Sequence, residues 1–176
     1  MNIDTFKKIS LNGRVAYAIR CLENTILTLN YDVNKWKIVL EYLWEFTSIQ
    51  YLDDWSGMIA EIIPDNLLEF KTYEEHDFEY LDEKNFEYLY SLYKNIDEKI
   101  DFIMTSIYNI GTSHAYSVIV EYGQKSLDEL EKLIIYMIQN NIQLPDIKLF
   151  ETFSIEENEG WGNKFDGRNI SIILKN

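Results

Sequence analysis

Ile96, Ile100, Ile103, Ile107 and Ile110 recur at alternating spacings of four and three residues. At about 3.6 residues per turn, that period gathers them on one stripe of an α-helix. A chain carrying such a stripe has to bury it, and other amphipathic helices are the natural cover. The same alternation links Val15, Ile19, Leu22, Ile26 and Leu29, predicting a helix from about Asn12 to Asn30. Trp36, Leu40, Leu43 and Thr47 share the face of a second helix, with Asn34 as a capping side chain and Val39, Phe46 and Gln50 widening the face. A third runs from Leu52 to about Ile63, where Pro64 restricts the residue before it. Asp82 can cap a helix carrying Phe86, Leu89 and Tyr93. Gly111 sits where the isoleucine helix would end. Ser126-Leu127-Asp128-Glu129 reads as a capping box opening a helix that runs to Asn140-Asn141.

Two stretches resist this period. Residues 64–81 mix Leu67, Leu68 and Phe70 with the acidic run Glu74-Glu75-His76-Asp77, and fit a loop, a helix or an element ordered by a partner. Between Ser113 and Tyr122, Val118-Ile119-Val120 suits a strand as well as a helix. Residues 146–176 change character: Ile147–Phe150 and Ile170–Leu174 lean toward β structure around Gly160-Trp161-Gly162. No Pro/Gly/Ser-rich linker separates a second unit. The expected fold is therefore mainly α: one domain over residues 1–176, a multi-helix bundle or short stacked helical hairpins, with residues 146–176 as an irregular or β-leaning segment packed on it.

Charge narrows the function. The 176 residues hold 16 Lys and Arg against 30 Asp and Glu, a net charge of −14. By position the balance is +1 over residues 1–50, −10 over 51–100 and −5 over 101–176. Direct nucleic-acid binding needs cations that displace phosphate counterions, so it is not expected. A concentrated acidic face either keeps a protein soluble or steers a basic partner by long-range attraction. No apolar run has the length of a membrane span, and Met1 to Lys8 lack the apolar stretch of a signal peptide. Cys21, the single cysteine, cannot form an intrachain disulfide, which fits a reducing, cytoplasmic setting.

Signatures of chemistry are sparse. Gly160-x-Gly162 lacks the third glycine of a dinucleotide fingerprint, and neither a phosphate-binding loop nor a Gly-x-Ser-x-Gly elbow is present. Cys21 falls between Ile19 and Leu22 on a helix and reads as a buried thiol. His114 reads as a surface or capping side chain. His76 among its acids could hold a divalent metal, yet acids at consecutive positions converge poorly on one ion. Asp53 and Asp54, as neighbours on a helix, point about 100° apart and cannot both reach one substrate atom. Neither a cofactor nor a metal is expected. Trp36, Trp44 and Trp55 lie on helices and read as packing residues. Trp161, between two glycines, either plugs the end of the helical stack or presents itself to a partner.

Tyr42-Leu43-Trp44-Glu45-Phe46-Thr47-Ser48, Tyr51-Leu52-Asp53-Asp54-Trp55 and Gly160-Trp161-Gly162-Asn163-Lys164-Phe165-Asp166 carry a resemblance. Together they resemble a family of bacterial immunity proteins from polymorphic-toxin systems, small cytoplasmic proteins encoded beside a secreted toxin that they block. The resemblance implies a non-catalytic inhibitor whose partner is a cognate toxin domain, one with a basic surface if its cleft is built for phosphate. Electrostatic capture and a few desolvated anchors would then do the work. Asp53, Asp54 and Trp55, the acids Glu74, Glu75 and Asp77, and Trp161, Asn163 and Asp166 are the candidate contacts. Two other readings stand beside it: a helical adaptor unrelated to toxins, and a small hydrolase or metal-dependent enzyme centred on His76 and its acids.

Overall fold

In the computed structural model, which describes residues 3–175, the isoleucine stripe closes against the first helix. Helix α1 (Leu11–Thr28) packs along its length on α6 (Glu98–Thr112), and α7 (Gln124–Gln139) lies against both. Helix α2 (Val33–Trp44) covers another side of α1, and α3 (Leu52–Ile62) bridges α2 and α6. A five-residue helix, α4 (Pro64–Leu68), and α5 (Glu83–Tyr93) pack on each other at the periphery. Met1, Asn2 and Asn176 lie outside the described residues. The architecture is all-α as expected, and one apolar core runs through every helix. Among the described residues, no helix is long and apolar enough to cross a membrane.

Ile100, Ile103, Ile107 and Ile110 are all fully buried. Ile96 precedes the helix, because the Asp97 side chain accepts from the Lys99 amide at 3.0 Å and starts α6 there. Asp82 caps α5 as predicted, accepting from the Asn85 amide at 2.8 Å.

Three expected helix signals are displaced. Asp32 rather than Asn34 caps α2, through a 3.1 Å bond from the Asn34 amide. Pro64 does not simply end α3; its fixed φ opens α4 at the first helical position. Ser126 is not an N-cap, because α7 begins at Gln124 after left-handed Gly123, and the Ser126 hydroxyl accepts from buried Arg14 instead.

Gly111 is not a C-terminal stop either. It lies inside α6 under the ring of Trp55, where a Cβ would come within 2.7 Å of two indole carbons and 3.1 Å of the Phe46 ring. Gly111→Ala is therefore expected to lower stability by about 1–3 kcal/mol through overpacking, despite the better helix propensity of alanine. Urea unfolding of the variant checks this.

The two unassigned stretches have local explanations. Beyond α4, the aromatic rings of Phe70, Tyr73, Phe78 and Phe86 build a small cluster at centroid separations of 5.3–6.0 Å. The Glu61 carboxylate takes the amides of Glu79, Tyr80 and Leu81 at 2.7, 3.0 and 2.9 Å. Residues 64–81 are thus ordered by their own contacts. Residues 114–122 are turns, neither helix nor strand.

Residues 146–175 form no β structure beyond one isolated antiparallel bridge, Ile9 to Ser154. The tail runs instead through short 3-10 turns at Ile147–Leu149, Asn158–Gly160 and Gly167–Asn169. Much of its backbone bonds to α1 and to the turn after α2, leaving little to pair as a ladder. Asn12 donates to the Gly162 and Asn163 carbonyls, and Arg20 to that of Ile170 at 2.7 Å. Glu23, fully buried, accepts from the Ile172 amide at 2.9 Å, from the Ser171 hydroxyl and from the Trp44 indole at 3.1 Å. The polar side of α1 therefore faces the tail and not solvent.

Candidate functional site

Three connections converge at one end of the bundle: the turn before α3, residues 114–122, and the tail around Trp161. The Trp161 carbonyl accepts from the Asn12 amide at 2.9 Å, which ties the tail loop to the first turn of α1. Gly162 closes the approach. Its φ is +84°, and a Cβ there would collide with the Ser10 side chain, so only glycine fits. Held in this way, the indole is half-buried and lines two adjoining clefts. The larger, about 500 Å³, also has Tyr51, Leu52, Asp53, Tyr116 and Val118 in its walls. The smaller, about 320 Å³, is bounded by Phe46, Ile49 and Lys164. Trp161 is at once a plug against the core and part of an open surface.

The rim is apolar and exposed. Tyr116 is 92 % exposed, Val118 71 %, Val120 69 % and Tyr51 61 %. Such residues together are unusual on a free surface and typical of a contact surface. Left-handed backbone concentrates here too: Tyr116, Glu121, Asn158 and Glu159 have φ between +46° and +58°. Asn30 and Asn141, the other non-glycine cases among the described residues, follow the ends of α1 and α7, where asparagine is well tolerated. Tyrosine and glutamate in this region store about 1–3 kcal/mol each, so the surrounding structure must hold them. Arg14 does part of this from below, donating to the carbonyls of Tyr122 at 2.6 Å and Gly123 at 3.1 Å. Burial pulls its pKa down to about 10, which still leaves it charged near neutrality.

The expected contact residues are not gathered in one place. Asp53 and Asp54 are exposed in the first turn of α3, where the helix dipole favours negative charge. The Tyr116 hydroxyl donates to Asp53 Oδ1 at 2.7 Å, and that bond to a carboxylate raises the tyrosine pKa. Trp55 is excluded as a contact in this fold: it is fully buried, edge-on to Phe46 at 4.7 Å, because the α3 stripe turns it toward α6. Glu74, Glu75 and Asp77 are exposed on the aromatic-cluster loop and line neither cleft. There the Glu75 carboxylate accepts from the Lys71 amide at 2.8 Å. Hydrogen bonds from its own amide and the Thr72 hydroxyl hold the Glu74 carboxyl below its ordinary range.

Asn163 is exposed, its carbonyl bound by Asn12. Asp166 points into a different groove, beside Glu41 and Glu45, and pairs with Arg168 at 2.9 Å, which lowers the aspartate pKa. Of the nine candidate contacts, the main cleft thus brings together Asp53 and Trp161.

The histidines and the cysteine have packing environments. His76 stacks on Phe70 at 4.7 Å and meets Phe78 edge-on at 4.8 Å. His114 is buried rather than on the surface; desolvation lowers its pKa, and it makes no hydrogen bond to Asp53 or Tyr116. Burial pushes the Cys21 thiol well above its ordinary value, the state of an unreactive core cysteine. Among the described residues, no group of three or more His, Cys, Asp or Glu could hold a metal ion. What the end surface offers is recognition: an anionic group on a helix terminus, aromatic faces and an apolar rim.

Tyr51, Tyr116, Val118 and Val120 were not among the contacts expected from sequence. The sequence signals for them were the apolar triplet Val118-Ile119-Val120, which suits helix and strand alike, and the place of Tyr51 in the segment Tyr51–Trp55. No family model matches the sequence, and no curated protein or solved structure shows significant similarity to it.

Proposed function

We propose that this protein is an immunity protein: a non-catalytic inhibitor that binds a toxin domain encoded beside it, in the cytoplasm of the cell that makes both. The observation that carries this reading is the end surface, where exposed Tyr116, Val118 and Tyr51 line a cleft with Asp53 in its wall and exposed Val120 follows in the same connection. Exposed aromatic and aliphatic side chains gathered round a cleft are what a protein contact buries at its centre. The resemblance of the segments around Trp44, Trp55 and Trp161 to immunity proteins supports the same partner class. The exposed acids on α3 and on the aromatic-cluster loop add a field that favours a basic partner.

Co-expression with the neighbouring toxin domain tests the reading, scored by host survival and co-purification. Survival together with a stable complex supports it; a toxin that still kills and leaves this chain unbound refutes it. Electrostatic capture has its own measurement. Reversing Asp53, Asp54, Glu74 and Glu75 to Lys is expected to slow association with that domain by roughly 10-fold or more at low salt. Thermal stability should fall far less than the association rate, since all four side chains are exposed and only surface bonds, such as those from Tyr116 and the Lys71 amide, are lost. Added salt should remove most of the difference. Equal association rates at low salt would show that the acids do not steer.

A further inference from the structure

We infer that the larger Trp161 cleft seats an arginine side chain presented by the protein partner, which takes the Asp53 carboxylate from the hydroxyl of Tyr116. This rests on the binding-protein reading above and assigns its central contact. The cleft supplies what a guanidinium needs. Asp53 presents its carboxyl group in the first turn of α3, and no cationic side chain is paired with it among the described residues. Tyr51, Tyr116 and Trp161 provide aromatic faces in the same walls, against which a planar cation can stack. Leu52 and Val118 suit the methylene stem. Asp54 follows on the next position of the exposed turn and deepens the negative potential. A neutral or acidic partner side chain would forfeit that complementarity.

The present occupant of the carboxylate is easily exchanged. Tyr116 is almost fully exposed, stands in left-handed backbone at φ +58°, and reaches Asp53 through one neutral hydroxyl. A guanidinium can give two parallel hydrogen bonds to the same carboxylate and brings a full positive charge, where the phenol gives one bond from a neutral donor. Exchange also frees the Tyr116 ring to swing over the incoming cation. Tyr116 is thus a gate residue that keeps the site satisfied when empty and competes with the ligand.

That competition gives an unusual signature. The probe is N-acetyl-arginine amide, with N-acetyl-citrulline amide as a neutral control of nearly the same shape. Each is titrated at low ionic strength while NMR follows the Trp161 indole N–H and the Tyr116 ring. Arginine amide is expected to shift both signals saturably in the millimolar range, and citrulline amide is not. Asp53→Asn should abolish the effect. Tyr116→Phe should tighten binding about two- to tenfold, because it removes the competing hydrogen bond. Circular dichroism verifies that both variants remain folded.

Equal shifts from citrulline amide, or an Asp53→Asn variant that binds as well as the parent, would overturn the arginine seat. Weaker binding by Tyr116→Phe would overturn the exchange. These outcomes are independent of toxin neutralisation: protection that persists without an arginine effect rejects this site alone, and an arginine effect without protection rejects the immunity reading alone.

Discussion

Glu23→Ala is expected to lower stability by about 3–5 kcal/mol and to release the C-terminal tail before the helices unfold. Glu23 is fully buried, and its two oxygens answer four groups. Oε1 accepts from the Trp44 indole and the Ser171 hydroxyl; Oε2 accepts from the Ile172 amide and lies 3.2 Å from Arg20 Nε. That last approach is an ion pair without hydrogen-bond alignment, so Arg20 depends on the charge itself. Taking away one member of a buried pair leaves the other uncompensated, which is where an effect of this size arises. Glu23→Gln preserves volume but turns a donor toward Arg20 and the Ile172 amide, so most of the loss should remain. Hydrogen exchange separates local from global effects. The amides of Ile172, Ile173 and Leu174 all bond to Glu23 or Ser171 and should exchange faster in the variants than amides within α6. Uniform acceleration across the chain would mean that the tail and the helices form one cooperative unit.

Arg14→Met is expected to cost about 3–5 kcal/mol, a fall in Tm of roughly 6–20 °C for a chain of this size. The guanidinium is fully buried and, among the described residues, is paired with no carboxylate; carbonyl and hydroxyl dipoles solvate its charge. It reaches the Phe6 and Tyr122 carbonyls at 3.0 and 2.6 Å, and the Gly123 carbonyl and Ser126 hydroxyl at 3.1 and 2.7 Å. Methionine keeps most of the stem and removes the fork. The Tyr122 carbonyl loses its protein donor outright, and the left-handed turn at Glu121 loses its anchor. Partner binding should therefore weaken alongside stability, since the rim residues Val118 and Val120 belong to the same connection. Arg14→Lys gives one charge to four acceptors and should recover only part of the loss. Thermal unfolding and partner affinity, measured on both variants, check the pair of effects.

Helix existence was readable from period alone, because the stripes on α1, α2, α3, α6 and α7 are what the core consists of. Endpoints were less so. Asp32, Asn34, Gly123 and Ser126 are all plausible caps, and the choice was made by tertiary partners such as Arg14. The polar face of α1 is the larger feature that spacing leaves unread. Asn12, Arg14, Arg20 and Glu23 look like a solvated face when only the helix is considered. The structure buries them under backbone groups supplied from more than 100 residues away. Nothing in local spacing reveals that, since the tail segments carry no matching charges. The same limitation applied to the surface. Trp55 follows two exposed acids and Trp161 sits between two glycines, yet the α3 stripe turns the first inward while the glycine pair leaves the second half open. The apolar residues of 114–122 are ambiguous in sequence because their spacing suits strand and helix alike; a connection clamped by Arg14 explains them without either.

The reach of the tail has a consequence for synthesis. Ser171 lies 148 residues downstream of Glu23. A ribosome that has translated everything up to residue 169 has made all seven helices, but the ion pair in the first of them is still unroofed. Vectorial translation therefore yields a loosened intermediate until residues 170–174 emerge, and products that stop before them should be betrayed by an exposed charge in their own centre, ready for proteolytic clearance.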